Sequence, residues 1–277
     1  MVGMNSCDSL VPILRSTVIT MRPMLQLFCH KSLLCLTIGL ILTASLRPLP
    51  ALAQATSTNG TKVDSQFEQQ VLEVLKRNPE VILESLQRYQ RNQQLKAQKA
   101  QQAILTSLNT DRKKAIGQSP TDGKGKILVI EFSDFQCPFC AKARTELNQF
   151  VAKYPDRVTL VYKHYPLTQI HNEAMNAALA SWAAQQQGKF WEYHNALFDQ
   201  QKTLNANSYT AIATTVGLDL AKFDRDRQSP QAKAAVEADQ QLGESLGIDG
   251  TPAIIFNGEL LSGAIPLAEL EKLLLSK

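Results

Sequence analysis

The residues with the most definite chemistry are Cys137-Pro138-Phe139-Cys140, directly after the apolar run Ile127 to Phe132. Two thiols three positions apart come within disulfide reach when a helical turn brings them together. Proline is tolerated in a first helical turn, because its missing N–H would have no partner there. This places Cys137 at the N-cap of a helix and Cys140 one turn inside. A helix amino terminus favours negative charge, so the Cys137 thiolate is stabilised and its pKa lowered. Cys140 faces inward and is the protected, resolving thiol. Glu131 is the one carboxylate in a strand otherwise fit for burial. Burial raises a carboxyl pKa, which suits an acid that relays a proton to a buried thiol; the alternative is an edge-strand Glu facing water. Asp134, between strand and helix, reads as a solvated turn residue. Gly250-Thr251-Pro252 precedes a second apolar stretch, where an X-Pro bond is compatible with either isomer.

Other uses of the two thiols are a static disulfide or a metal site. A static bridge this short removes little chain entropy. Zinc would need two more ligands, and His164, His171 and His194 lie outside the usual ligand spacing. Copper handling has no methionine cluster behind it, since Met175 is the one methionine after Met24. No metal is expected, and no cofactor beyond the redox-active Cys137–Cys140 disulfide.

Stepping outward, 277 residues are enough for a core that needs no disulfide staple. Lys and Arg number 29 against 25 Asp and Glu, a net of +4, and most of the excess sits at the amino terminus. Leu33 to Leu46 carries no charge, follows Arg22, His30 and Lys31, and leads to Ala51-Leu52-Ala53. A basic start, a short apolar run and a small-x-small ending make a secretory signal over residues 1–53, cleaved after Ala53. The run is short for an uncleaved anchor, which needs about 20 apolar residues. Met21 or Met24 would serve as well as Met1 as the start. Removing this leader takes Arg15, Arg22, Lys31 and Arg47 but only Asp8, so the remaining charges nearly balance. That excludes a general nucleic-acid footprint. Cys7, Cys29 and Cys35 leave too, and an exported chain with just Cys137 and Cys140 remains.

The elements that must position these residues follow from periodicity. Helical spacing of Phe67, Val71, Val74 and Leu75 is interrupted at Asn78-Pro79, which restarts a helix running to about Ile116. This arm, residues 54–117, is too polar over Gln90 to Gln102 to sit in a core. It is either a solvated helix or a self-association segment, and the apolar content of Phe67 to Leu86 favours a homo-oligomer through residues 64–116. Residues 118–125 read as a linker by their Gly, Ser and Pro. Strands follow at Ile127–Phe132 and Val158–Lys163 around a helix from Pro138. Helical segments fill about 167–246, where the aromatics Trp182, Phe190, Trp191, Tyr193 and Phe198 are core by default. Strands at Ala253–Phe256 and Glu259–Ser262 flank an Asn257-Gly258 type I′ turn, and a helix from Pro266 ends the chain. The order β-α-β, helices, β-β-α is an α/β domain over residues 126–277.

That order, with Cys-Pro-Phe-Cys at a helix start and Thr-Pro before a hairpin, resembles the DsbA-like branch of the thioredoxin superfamily over about residues 126–277. The resemblance implies a thioredoxin-like fold with a helical insertion, preceded here by an N-terminal helical segment. It implies Cys137 as an exposed nucleophile, Cys140 as resolving thiol and Glu131 as the assisting acid. Thr251 and Pro252 would form a cis-proline loop that packs beside the disulfide and pairs with substrate backbone. Asn78-Pro79-Glu80-Val81-Ile82 also resembles the amino-terminal helices of secreted DsbA-like proteins of the ScsC and Com1 type, some of which oligomerise. One position departs from the pattern: Phe139 stands where strongly oxidising DsbA proteins carry histidine, and it offers the thiolate neither a hydrogen bond nor a charge. Phe139 and Phe135 would instead give unfolded substrates an apolar surface; equally, Phe135 packs inside.

Taken together, the sequence reads as an exported, periplasmic or otherwise extracytoplasmic protein disulfide oxidoreductase, with disulfide formation as the direction. The alternatives are an isomerase or reductase, and a protein that uses the dithiol as a metal ligand. Its partners would be unfolded or misoxidised exported proteins, and the resemblance implies a membrane quinone-linked thiol oxidase, or a reductase, as redox partner.

Overall fold

The computed structural model describes residues 64–276. The leader read over residues 1–53, its cleavage after Ala53 and the choice of start codon lie outside the described residues.

Asp64 opens α1 (Ser65–Arg77) by accepting the Gln66 N–H at 3.1 Å. Asn78 closes that helix: its side-chain amide donates to the Val74 carbonyl at 2.7 Å and makes no cap bond to the next helix. Pro79 then begins α2 (Pro79–Thr110) at the position where a missing N–H costs least. The single helix expected to reach Ile116 is broken at Asp111, whose carboxylate accepts the Lys114 N–H at 2.9 Å and so caps a separate α3 (Arg112–Ile116). An Asp at that point competes for backbone donors and ends the helix.

Next come β1 (Thr121–Asp122), β2 (Ile127–Ser133), α4 (Pro138–Lys153) and β3 (Val158–His164). The helical insertion comprises α5 (Ala174–Gln185), α6 (Phe190–Asp199), a 3-10 turn at Gln201–Thr203, α7 (Ala206–Val216), α8 (Leu220–Arg227) and α9 (Pro230–Ser245). The chain closes with β4 (Ala253–Phe256), β5 (Glu259–Ser262) and α10 (Leu267–Leu275). Asn257 and Gly258 both take positive φ, 49° and 84°, as a type I′ hairpin turn between β4 and β5 requires. The five strands lie in the order β1-β3-β2-β4-β5; β2 and β3 are parallel and the other neighbours antiparallel.

Strand alternation, with both faces of the sheet covered, explains why β2 is buried from Leu128 onward and apolar except at Glu131 and Ser133. Val129 faces Leu147 and Phe150 of α4 and Leu270 and Leu274 of α10. Leu128, Ile130 and Phe132 face the other way, onto Leu105 and Leu108 of α2 and Ala115 of α3. The second face of the sheet is therefore covered by the end of the helical arm. Gln101 adds a hydrogen bond from its side-chain amide to the Leu246 carbonyl, 2.6 Å.

This corrects the expected boundaries. The arm read as ending at residue 117 splits physically: its last turns belong to the core, while Phe67, Val74, Leu83, Leu86 and Tyr89 farther out are exposed. Residues 118–125 are no free linker either. Thr121 and Asp122 pair with Val161 and Leu160 at the sheet edge. Gly125 is needed for close approach, since a Cβ there would collide with the backbone of Arg157 and Val158. Glycine read as flexibility was serving proximity. In the insertion, Phe190, Tyr193 and Phe198 are buried as expected, whereas Trp182 and Trp191 are half-buried. The Trp191 indole N–H donates to the Thr121 carbonyl at 2.9 Å, fastening the edge strand.

Leu108 is 2% exposed beneath the sheet. Leu108→Ala should therefore lower the unfolding free energy by about 2–5 kcal/mol, as a buried Leu truncation does. Chemical denaturation measures this, and a loss below about 0.5 kcal/mol, the surface range, would contradict the packing.

Candidate active site

The site forms where β2 turns into α4. Cys137 is the N-cap residue with extended backbone (φ −75°, ψ 121°), and Pro138 occupies the first helical turn. The Cys137 carbonyl accepts the N–H groups of Cys140 and Ala141 at 3.1 and 3.2 Å, so the turn is wound from its first residue. Both cysteines are free thiols. Cys140 is fully buried, as its inward position predicted. Cys137 is only 5% exposed, less open than a family nucleophile would suggest, and Phe139 beside it is 65% exposed. Phe135 packs inside, stacked on Tyr162 with ring centroids 5.5 Å apart, so of the two phenylalanines Phe139 alone presents apolar surface.

The two thiols are driven apart in acidity. Cys137 is lowered from an ordinary 9.0 to about 5. The Cys140 thiol hydrogen-bonding to it is the largest cause; the Thr251 side chain and the N–H groups of Cys140 and Phe139 add to this, against the opposing effect of burial. Cys140 is pushed well up, first by burial, then by Cys137 and Glu131. One sulfur is thus a thiolate at neutral pH and its neighbour a thiol.

Glu131 is 1% exposed, which answers the edge-strand alternative. Burial pushes its carboxyl up to about 7, with Ser133 working against the shift and Cys137 adding to it. Its Oε1 has no hydrogen-bond partner among the described residues. Thr251 and Pro252 arrive from the start of β4, joined by a cis peptide bond. The Thr251 carbonyl lies 3.2 Å from Cys137 Sγ, close enough to accept a hydrogen bond from the thiol. Cys137, Cys140, Glu131, Thr251, Pro252 and Phe139, named from sequence, thus converge on one end of the sheet.

Asp134 is not the solvated turn residue its loop position suggested. It is 1% exposed, and its carboxylate accepts the N–H groups of Gln136 at 2.7 Å and Leu167 at 2.8 Å. The same carboxylate meets His171 Nδ1 at 2.8 Å, giving His171 the local structural role expected of it. Gln136 and Gln201, which no sequence signal singled out, complete the frame. The Gln136 side-chain carbonyl accepts the Glu173 N–H at 2.6 Å. The Gln201 amide donates to the carbonyls of Phe135 and Cys137 at 2.8 and 2.9 Å.

The model of a DSBA-like thioredoxin domain matches residues 128–275. Among solved structures, a thioredoxin-like oxidoreductase from Silicibacter pomeroyi is 30% identical, with a TM-score of 0.53, over 61% of this chain and 95% of that one. The thiol-disulfide exchange protein alpha-DsbA2 from Wolbachia pipientis shares 20% identity with a TM-score of 0.56, over 64% of this chain and 97% of its own. Proteus mirabilis ScsC in a compact conformation shares 22% identity with a TM-score of 0.55, over 77% and 97%. At such identities the last two speak for the fold alone. The sequence is also 35% identical over 134 residues to the Na(+)/H(+) antiporter NhaA 1 of Mycolicibacterium vanbaalenii, a stretch that is 48% of this chain but 22% of that protein. The thioredoxin-like fold with its helical insertion, implied by the resemblance, is the fold found.

The acidity of Cys137 carries a sign. Between pH 9.0 and about 5, an unfolded chain binds a proton that the folded, reduced protein does not. The reduced form should therefore lose stability as pH falls across that window and level off below it. The oxidised form, having no thiol, lacks this dependence. Unfolding free energies of both forms against pH test this, and a pH-independent difference between them would contradict it.

Proposed function

The chain belongs to the DSBA-like thioredoxin domain family, and on that basis we propose that it is an exported thiol–disulfide oxidoreductase that forms disulfides in protein substrates. The observation that carries this reading is the split in acidity between two adjacent sulfurs at one helix start. In the oxidised protein a substrate thiolate attacks Cys137 Sγ, the Cys137–Cys140 bond breaks, and Cys140 leaves. Glu131, whose carboxyl holds its proton to about pH 7, supplies that proton to the Cys140 sulfur. A second substrate thiolate then attacks the substrate sulfur of the mixed disulfide, and Cys137 departs as a thiolate. Two substrate thiols have become a disulfide, and the protein's disulfide has become a dithiol. A low pKa makes Cys137 a good leaving group in the last step. Phe139 and the Thr251-Pro252 loop border the sulfur under attack and are the surfaces that hold substrate.

Export fits the leader read over residues 1–53. Clients would then be unfolded or misoxidised exported proteins. The oxidant that restores the disulfide would be a membrane thiol oxidase. The reverse direction, isomerase or reductase, is favoured by the arm. Phe67, Leu72, Val74, Leu83 and Leu86 expose apolar surface along α1 and the first half of α2, and self-association would cover it while bringing several active sites around one client.

Three experiments decide these points. Equilibration of residues 54–277 with glutathione should give a potential near the oxidising end, about −120 mV; about −270 mV would reverse the direction to reduction. In a thiol-exchange assay on a model peptide, Cys137→Ala should abolish exchange and Glu131→Gln should slow it while leaving the fold intact. Exchange retained by Cys137→Ala would overturn the reading. Sedimentation of the same fragment should give a multiple of the monomer mass, reduced to monomer by Leu83→Glu with Leu86→Glu. A monomeric parent would remove the association arm.

A further inference from the structure

The loop that carries the nucleophile is held from outside its own strand and helix. Phe135 and Cys137 direct their carbonyls toward the start of the 3-10 turn that follows α6. One nitrogen, Gln201 Nε2, serves both, at 2.8 and 2.9 Å. A neutral primary amide is suited to this, since a single NH2 group carries two donors and no charge. Gln201 lies more than sixty residues beyond the cysteines, at the start of the 3-10 turn in the helical insertion.

The consequence lies in what the Cys137 carbonyl does. It is the acceptor for the Cys140 and Ala141 N–H groups, the bonds that wind the first turn of α4. Fixing that oxygen holds the first turn of α4, at whose start Cys137 sits and on which Cys140 lies one turn on. The Phe135 carbonyl, two residues earlier, fixes the approach of the loop. Left without the amide, the half-buried Phe135 carbonyl would need a new donor and the Cys137 carbonyl would keep only its helical ones, so the turn would lose its tie to the insertion.

We propose that Gln201 is a positioning residue for the thiol chemistry: its amide clamps the Phe135 and Cys137 carbonyls and so keeps the first turn of α4 aligned beneath the Cys137 sulfur. The inference rests on the dithiol reading above and extends it to the helical insertion, which thereby sets the reactivity of a cysteine it does not contain.

The test reads the sulfur directly. In Gln201→Met, of similar length but without a donor, the ultraviolet thiolate titration of Cys137 should move up by about one pH unit. Alkylation of Cys137 below the parent midpoint should slow about tenfold, and the reduced fraction in a glutathione buffer should fall by a similar factor in the equilibrium constant. Gln201→Lys, which returns N–H donors at comparable reach, should keep the parent midpoint or lower it. A merely structural role would lower the melting temperature of the oxidised and reduced forms equally and leave the midpoint unmoved. That result overturns the proposal, as would Gln201→Lys shifting upward as far as Gln201→Met. If Gln201→Met does not fold, Gln201→Ser gives the same comparison at a smaller side chain. Loss of peptide exchange in the parent protein with the Gln201 effect on titration intact would instead count against the enzymatic reading alone.

Discussion

A thiolate persists at neutral pH only where hydrogen-bond donors already point at it, and the turn from β2 into α4 supplies that condition. Cys137 sits at the N-cap with Pro138 in the first helical turn, so the helix begins abruptly and its sulfur lies at the amino-terminal, positive end of α4. Cys140, one turn on, is buried where a charge is costly, yet it is close enough to stabilise its partner's charge. The asymmetry arises from a single helical turn whose two ends lie in different surroundings.

The surroundings explain how the turn is held. Each of the four residues from Asp134 to Cys137 is tied to a segment outside β2 and α4. Asp134 binds the loop after β3, Gln136 binds the residue before α5, and Phe135 and Cys137 share Gln201 beyond α6. The inner side of this frame is polar and under-satisfied. Glu131 Oε1, Ser133 Oγ, Tyr162 Oη and both ring nitrogens of His164 are buried without partners among the described residues. Each such group opposes stability by about 1–3 kcal/mol. Burial accordingly keeps His164 and His194 neutral, both depressed to about 3. A region that retains uncompensated polar groups beside a reactive pair is expected where chemistry, rather than packing, sets the composition.

The arm has two physical regimes along one helix. From Leu105 onward it is a core element, completing the second face of the sheet against Ile130, Phe132 and Ile255. Before that it carries large apolar side chains that are exposed, Val81, Ile82, Leu83 and Leu86 among them. The first regime fixes the direction in which the helix leaves the domain. The second is what another surface would have to bury. A rigid α2 joining them would transmit the position of one to the other.

By itself the sequence determined what depends on neighbours in the chain. The Cys137-Pro138-Phe139-Cys140 helix start, the buried β2 with its single carboxylate Glu131, the Asn257-Gly258 turn and the order of elements each follow from spacings of a few residues, where periodicity and turn chemistry act. The tertiary structure alone decided what depends on distant partners. Asp134 is a loop aspartate by sequence and a buried hub in the fold, because Leu167 and His171 come from another loop. Leu105 and Leu108 look like any thin helical stripe until the sheet face they cover is known. Thr121 and Asp122 are too short a strand for periodicity to register, and they exist because β3 offers an edge. Gln201 has no local pattern at all: a glutamine acquires its meaning only from the two carbonyls that folding sets before it. Local propensity acts over a turn of helix, whereas the position of the cysteine-bearing loop is set by contacts tens of residues apart, which no local pattern encodes.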